Sequence, residues 1–151
     1  MKLDKKDHLI ITVLKENSRL AIRDIAKKTG IRPSTVHERI KKLVREGIIE
    51  KFTLKLNNKA MGENFIVFML IKGGTTEYVN NKIINNKQVK EIFGVTGEYD
   101  LLLKLKFEDV AEFNKFLIRF RRGQKGIRQT FTMVSTTNIK EEVWCNEERT
   151  F

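Results

Sequence analysis

Over the first 60 residues the apolar positions recur at helical spacing. Leu9, Ile10, Val13 and Leu14 share one side of a helix that Asp4 caps and that runs to about Asn17, with Asp7 favourable in its first turn. After a turn at Ser18 and Arg19, the residues Ile22, Ile25 and Ala26 predict a short second helix that stops at Gly30. Pro33 suits the first position of a third helix and Gly47 the residue after its last turn, where positive φ is wanted. Between them Val36, Ile40, Leu43 and Val44 form an apolar stripe that packs on a core. The period then changes: Phe52, Leu54 and Leu56 alternate with Thr53 and Lys55, so Ile48 to Leu56 reads as a half-buried strand, the wing of a helix-turn-helix.

The stretch NNKAMGEN at 57–64 interrupts the pattern, which places a domain boundary there and gives domains of 1–60 and 61–151. Beyond it the periodicity predicts a strand at Phe65–Ile71, a helix at Glu77–Asn86, and strands at Val89–Thr96 and Leu101–Phe107. A helix at Asp109–Arg121 with Phe113, Phe116, Leu117 and Phe120 inward follows, then a strand at Ile127–Thr137. The fold class is therefore α+β: a winged helix-turn-helix followed by a ferredoxin-like βαββαβ domain, an antiparallel sheet with both helices on one face. Leu102 is apolar opposite Leu101 and Leu103, which suggests burial on the second sheet face as well. An isologous homodimer through the sheet is the simplest cover.

Charge sharpens this picture. The chain of 151 residues carries a net +11; residues 1–60 hold 16 Lys and Arg against 7 Asp and Glu (+9), and residues 61–151 hold 14 against 12 (+2). The excess is N-terminal and points to a polyanionic partner for that half. On the third helix the face opposite the apolar stripe carries Ser34, Thr35, Glu38, Lys41, Lys42 and Arg45, with His37 and Arg39 on the flanks. Three helices with a Gly-containing connection before the most basic one give the order in which the last helix enters the major groove of duplex DNA. The alternative is a solvated face on which Glu38 pairs with Lys41 or Lys42.

Other chemistry is sparse. The single Cys145 forms no internal disulfide. His8 and His37 have no ligand partners at metal spacing, so no metal or cofactor is expected. No Cys–His pair, phosphate loop or nucleophile elbow supports an enzyme. The apolar runs fall far short of the roughly 20 residues that span a bilayer, and no leader-like segment precedes the first helix, so the expected location is cytoplasmic.

The run RDIAKKTGIRPSTVHERIKKLVREGIIEKF closely resembles the DNA-binding half of the leucine- and asparagine-responsive (Lrp/AsnC) family of transcription regulators. GVTGEYDLLLKLK and GIRQTFTMVSTTNIKEE resemble that family's effector-binding and oligomerisation domain. The resemblance implies a sequence-specific regulator without covalent chemistry, a homodimer with higher assemblies of dimers, and a small effector, often an amino acid, held between subunits. By this match Gly97, Tyr99 and Asp100 lie beside the effector, and Thr132 on the last strand is a weaker candidate. GEYD is equally a good tight turn, and Thr is an ordinary strand former. A low-specificity architectural DNA binder is the alternative function. Three positions depart from the family pattern: Arg32 and Ala21 stand at helix caps, and Lys125 stands where a proline commonly precedes the glycine.

Overall fold

Asp4 opens the first helix with a reciprocal cap. Its Oδ1 accepts from the Asp7 N–H at 2.9 Å, and Asp7 Oδ2 accepts from the Asp4 N–H at 3.1 Å, which satisfies donors that a helix start leaves unpaired. The computed structural model describes residues 2–73, 81–123 and 126–141. These fall into two compact units, one up to Lys55 and one from Leu56 to Glu141. Helix α1 (Lys5–Glu16) is followed by α2 (Ile22–Thr29) and α3 (Pro33–Arg45). As the sequence suggested, neither Ala21 nor Arg32 supplies a side-chain cap; α2 ends on Gly30 at φ +69° and α3 begins with Pro33.

Ile10, Leu14, Ile25, Ala26, Ile31, Val36 and Leu43 form the core of this unit. Leu9 and Val44, expected on the buried stripes, are exposed. At 100° per residue Leu9 lies about 100° from Ile10, and Val44 about 80° from Val36, so each sits at the edge of its stripe. The strand expected at Ile48–Leu56 does not form. The Ile48 and Ile49 N–H groups turn back to the Leu43 carbonyl at 2.9 and 3.1 Å, and Phe52, Leu54 and Leu56 are exposed, Leu54 at 68%. Alternation is necessary for a strand but not sufficient. The backbone must also find a second strand, and none pairs with this segment among the described residues.

The second unit comprises β1 (Phe65–Lys72), α4 (Asn81–Ile84), β2 (Val89–Gly94), β3 (Leu101–Phe107), α5 (Val110–Gly123) and β4 (Gln129–Val134). The sheet order is β2-β3-β1-β4, antiparallel throughout. Val67, Met69 and Ile71 stand opposite Leu105, Leu103 and Leu101, and on this face Phe113, Phe116 and Phe120 of α5 and Ile83 of α4 complete the core. The predicted ferredoxin-like order is present, with shifted ends. Strand β2 stops two residues early because the Val95 N–H bonds to the Asp100 carbonyl at 3.0 Å, closing a turn. Helix α5 starts after Asp109, whose Oδ1 caps the Glu112 N–H at 2.8 Å. Residues 77–80 of the expected helix, Lys125, Trp144 and Cys145 lie outside the described residues.

On the second sheet face Phe93, Leu102, Leu70 and Phe131 run across the four strands in register. Phe93 and Phe131 are exposed, and Leu70 and Leu102 half-buried. Toward the other end of this face Lys104 and Lys106 both reach Glu141 Oε1, at 2.6 and 2.8 Å, while Asn58 Nδ2 donates to Glu141 Oε2 at 2.8 Å.

Candidate functional site

The exposed side of α3 is built as its periodicity requires. Ser34, His37, Glu38, Lys41, Lys42 and Arg45 are exposed and Thr35 is half-buried. The pairing of Glu38 with Lys41 is a loose 3.8 Å contact between well-exposed groups, and Arg45 meets Glu46 at 3.5 Å. Exposed pairs of this kind contribute about 0–1 kcal/mol, so they do not withhold the cations from a stronger partner. Ser34, Thr35, His37 and Lys42 have no side-chain partner among the described residues. Ser34, Thr35, Glu38 and Lys42 line a shallow depression together with Asp4 and Arg39.

Arg39 is different. Its Nη1 donates to Asp4 Oδ2 and to Asp7 Oδ1, both at 2.7 Å. Asp7 is the buried charged residue among those described, 5% exposed. The Asp4 carboxyl is held below the usual carboxylate range, first by the Asp7 backbone N–H and then by Arg39. The Arg39 guanidinium is correspondingly raised by its hydrogen bonds to Asp4 and Asp7. This side chain, read from sequence as a flank residue, is committed inside the unit. The signal was available: at 100° per residue Arg39 lies about 40° from buried Leu43, and Asp7 about 20° from buried Leu14.

In the second unit the turn after β2 brings some of the remaining candidates together. Gly97 has φ +124° and open space where a Cβ would stand. Asp100 Oδ2 accepts from the Gly73 N–H at 2.7 Å and its own N–H bonds to the Ile71 carbonyl at 2.9 Å, so Asp100 ties the end of β1 to the turn. The Tyr99 ring lies 6.4 Å from that of Phe131, and Gln129 Nε2 is 3.5 Å from its hydroxyl. Thr132 stands opposite Met69, on the helix-covered face, whereas Phe131 stands opposite Leu70 on the other. Thr132 is therefore not brought beside Tyr99. Gln129 and Phe131 are, and β alternation puts these two on a shared face. Among the described residues no group of His, Cys, Asp and Glu forms a metal cage.

A three-helix unit with an exposed cationic and hydroxylic third helix, followed by an α+β sheet domain, defines a helix-turn-helix DNA-binding regulator with a separate ligand domain. Residues 3–50 match the winged helix-turn-helix DNA-binding model and residues 65–145 the Lrp/AsnC ligand-binding domain, and the chain belongs to the Lrp/AsnC family of transcription regulators. It is 42% identical over 146 residues to an uncharacterised HTH-type transcriptional regulator of Pyrococcus furiosus, covering 93% of this chain and 97% of that one. It is 37% identical over 141 residues to the HTH-type transcriptional regulator FL11 of the same organism, covering 92% and 93%. Among solved structures, LrpC of B. subtilis superposes with a TM-score of 0.83 at 26% identity over 94% of this chain and 100% of that one. A transcriptional regulator from Neisseria meningitidis, solved as a complex with L-Met, does so with 0.87 at 25% over 94% and 95%. The protein is a DNA-binding transcription regulator, not an enzyme. Among the described residues no helix is long and apolar enough to cross a membrane.

Proposed function

We propose that this regulator is sequence-specific, that it works in the cytoplasm as a homodimer through the second sheet face, and that an amino acid bound beside Gly97, Tyr99 and Asp100 modulates it. The division of labour follows the boundary near residue 60: residues 1–60 meet DNA and residues 61–151 assemble and sense. The observation that carries the specificity reading is the make-up of the exposed side of α3. Ser34, Thr35 and Glu38 offer hydrogen-bonding groups of the kind that read base edges. His37, Lys41, Lys42 and Arg45 supply charge for phosphates. The apolar row Phe93, Leu102, Leu70 and Phe131 supports a second copy as the cover of the sheet, since oligomers pair identical patches about a twofold axis. The ligand seen in the Neisseria relative supports an amino acid as effector.

The test is selection of bound duplexes from a random pool, followed by titration of the selected and a random duplex at one salt concentration. A specific regulator discriminates by roughly 10³ or more. A ratio below about tenfold would instead assign the low-specificity architectural role. Substitutions at Ser34, Thr35 or Glu38 are expected to change the selected sequence. Lys42→Ala or Arg45→Ala should weaken binding to all duplexes and reduce the salt slope by about 0.9 for each phosphate contact removed.

A further inference from the structure

The Asp4–Asp7–Arg39 cluster uses every oxygen it has. Each carboxylate commits one oxygen to the reciprocal cap of α1 and the other to Arg39 Nη1, which joins residues 35 and 32 positions apart in the sequence. The Arg39–Asp7 half of the link is shielded, with Asp7 buried and the Arg39 side chain 25% exposed, whereas the Arg39–Asp4 half is open to solvent. It ties the first turn of α1 to the middle of the helix that carries Ser34, Thr35 and Glu38, and Asp4 and Arg39 line the same depression as those three. An interaction surface is useful only if its backbone is held within about 0.5 Å and 10–20°, and neighbouring hydrogen bonds are the usual means of holding it. The guanidinium is also neutralised by two carboxylates, which removes it from competition for phosphate.

We propose that Arg39 is a positioning residue for DNA recognition: through Asp4 and Asp7 it fixes the pose of α3 on α1, and so controls sequence discrimination without touching DNA. The proposal rests on the reading of α3 as the recognition helix. It makes the chemistry of the α3 surface bipartite. Hydroxyl and carboxylate groups sit beside the clamp where the pose is fixed, and the exposed cations Lys41, Lys42 and Arg45 extend toward the end of the helix.

The full-length protein is compared with Arg39→Lys, Arg39→Met and Asp4→Asn. Lysine keeps a donor for both carboxylates. Asparagine keeps the cap acceptor for the Asp7 N–H but presents an NH₂ to Arg39, and because Asp4 is the exposed member of the pair, with a side chain 53% accessible, this variant is expected to fold. Each is titrated with the duplex selected by the wild type and with a random duplex across a range of salt, alongside circular dichroism. Arg39→Met and Asp4→Asn are expected to lower the selected-to-random ratio at least fivefold, with random-duplex affinity and salt slope unchanged. Arg39→Lys should restore most of the ratio. If Arg39→Met does not fold, Asp4→Asn and Arg39→Lys decide. An unchanged ratio in folded variants would reduce the cluster to a stability element. A salt slope smaller by about 0.9 in Arg39→Met alone would show a direct phosphate contact instead. Should Ser34, Thr35 and Glu38 variants also leave preference unchanged, the recognition-helix reading itself fails; should they shift it while the clamp variants do not, only the positioning role fails.

Discussion

Gly73 and Gly30 both take positive φ, at +100° and +69°, yet their surroundings differ completely. A Cβ on Gly73 would stand 2.7 Å from both the Arg128 nitrogen and the Gly126 oxygen, backbone atoms locked by the Arg128 N–H bond to the Lys72 carbonyl at 2.8 Å; at Gly30 nothing lies within 4 Å. Gly30→Ala should therefore cost about 1 kcal/mol, the left-handed penalty alone, and Gly73→Ala about 2–4 kcal/mol, read as shifts in the urea midpoint. Glu141 allows a pH test. Burial opposes its charge, but Lys104, Lys106 and Asn58 outweigh that and hold the carboxyl well below the usual carboxylate range. A depressed folded pKa contributes stability that is present above the unfolded value of about 4.3 and lost as pH falls through the folded one. Glu141→Gln should thus destabilise by about 1–3 kcal/mol at pH 7, with the gap to wild type closing in acid. Equal destabilisation at pH 7 and pH 2 would contradict it. Neither residue stood out in the sequence, because Gly73 is set by a neighbouring loop and Glu141 by partners as far away as Asn58. The exposed face of α3, by contrast, was legible from local periodicity alone.

The elements that periodicity predicted well are those whose partners are close in sequence or whose apolar faces are unambiguous: α1 to α3, β1, β3 and α5. Where a second strand had to be supplied, as at Ile48–Leu56, alternation overcalled the structure. Where a turn closes by a bond such as that of Val95 to Asp100, the strand ended earlier than its apolar pattern. Cap chemistry was readable in both directions: Asp4 was expected to cap and does, while Ala21 and Arg32 do not. Ala21 already has the extended conformation of a cap residue, φ −66° and ψ 151°, and the Asp24 N–H reaches only its backbone carbonyl. Ala21→Asp is therefore expected to stabilise the protein by about 1 kcal/mol, its carboxylate meeting the free N–H groups and the positive end of α2. Thermal melts at two salt concentrations would separate the cap from the charge term. A gain that vanishes in high salt would leave only the screened interaction with the helix end, and no gain at all would mean that the side chain cannot reach the turn.

At the scale of the whole molecule, the sequence concentrates its charge in one half, with +9 of the excess in residues 1–60 and +2 in the remainder. Legibility ends at the Gly97–Asp100 turn, because the sequence states which residues form the turn but not which neighbouring groups they bond. Asp100 illustrates the point: the family resemblance implies a place beside the effector, and the structure gives one of its oxygens to Gly73. Replacing it by alanine would break both roles at once. Asp100→Asn separates them, since the amide oxygen still accepts from the Gly73 N–H while the charge is gone. Calorimetry of the intact protein against the common amino acids is expected to find a ligand whose affinity falls at least tenfold in Asp100→Asn, with the melting temperature of the free protein unchanged. That ligand should also shift binding to the selected duplex, and a coupling of about 1–3 kcal/mol corresponds to roughly 5- to 150-fold. Regulation requires this differential, because a ligand that binds the DNA-bound and free forms equally moves no equilibrium. The absence of binding by any amino acid at millimolar concentration, or a ligand that leaves duplex affinity untouched, would remove the sensing role and leave a regulator that answers only to its own concentration.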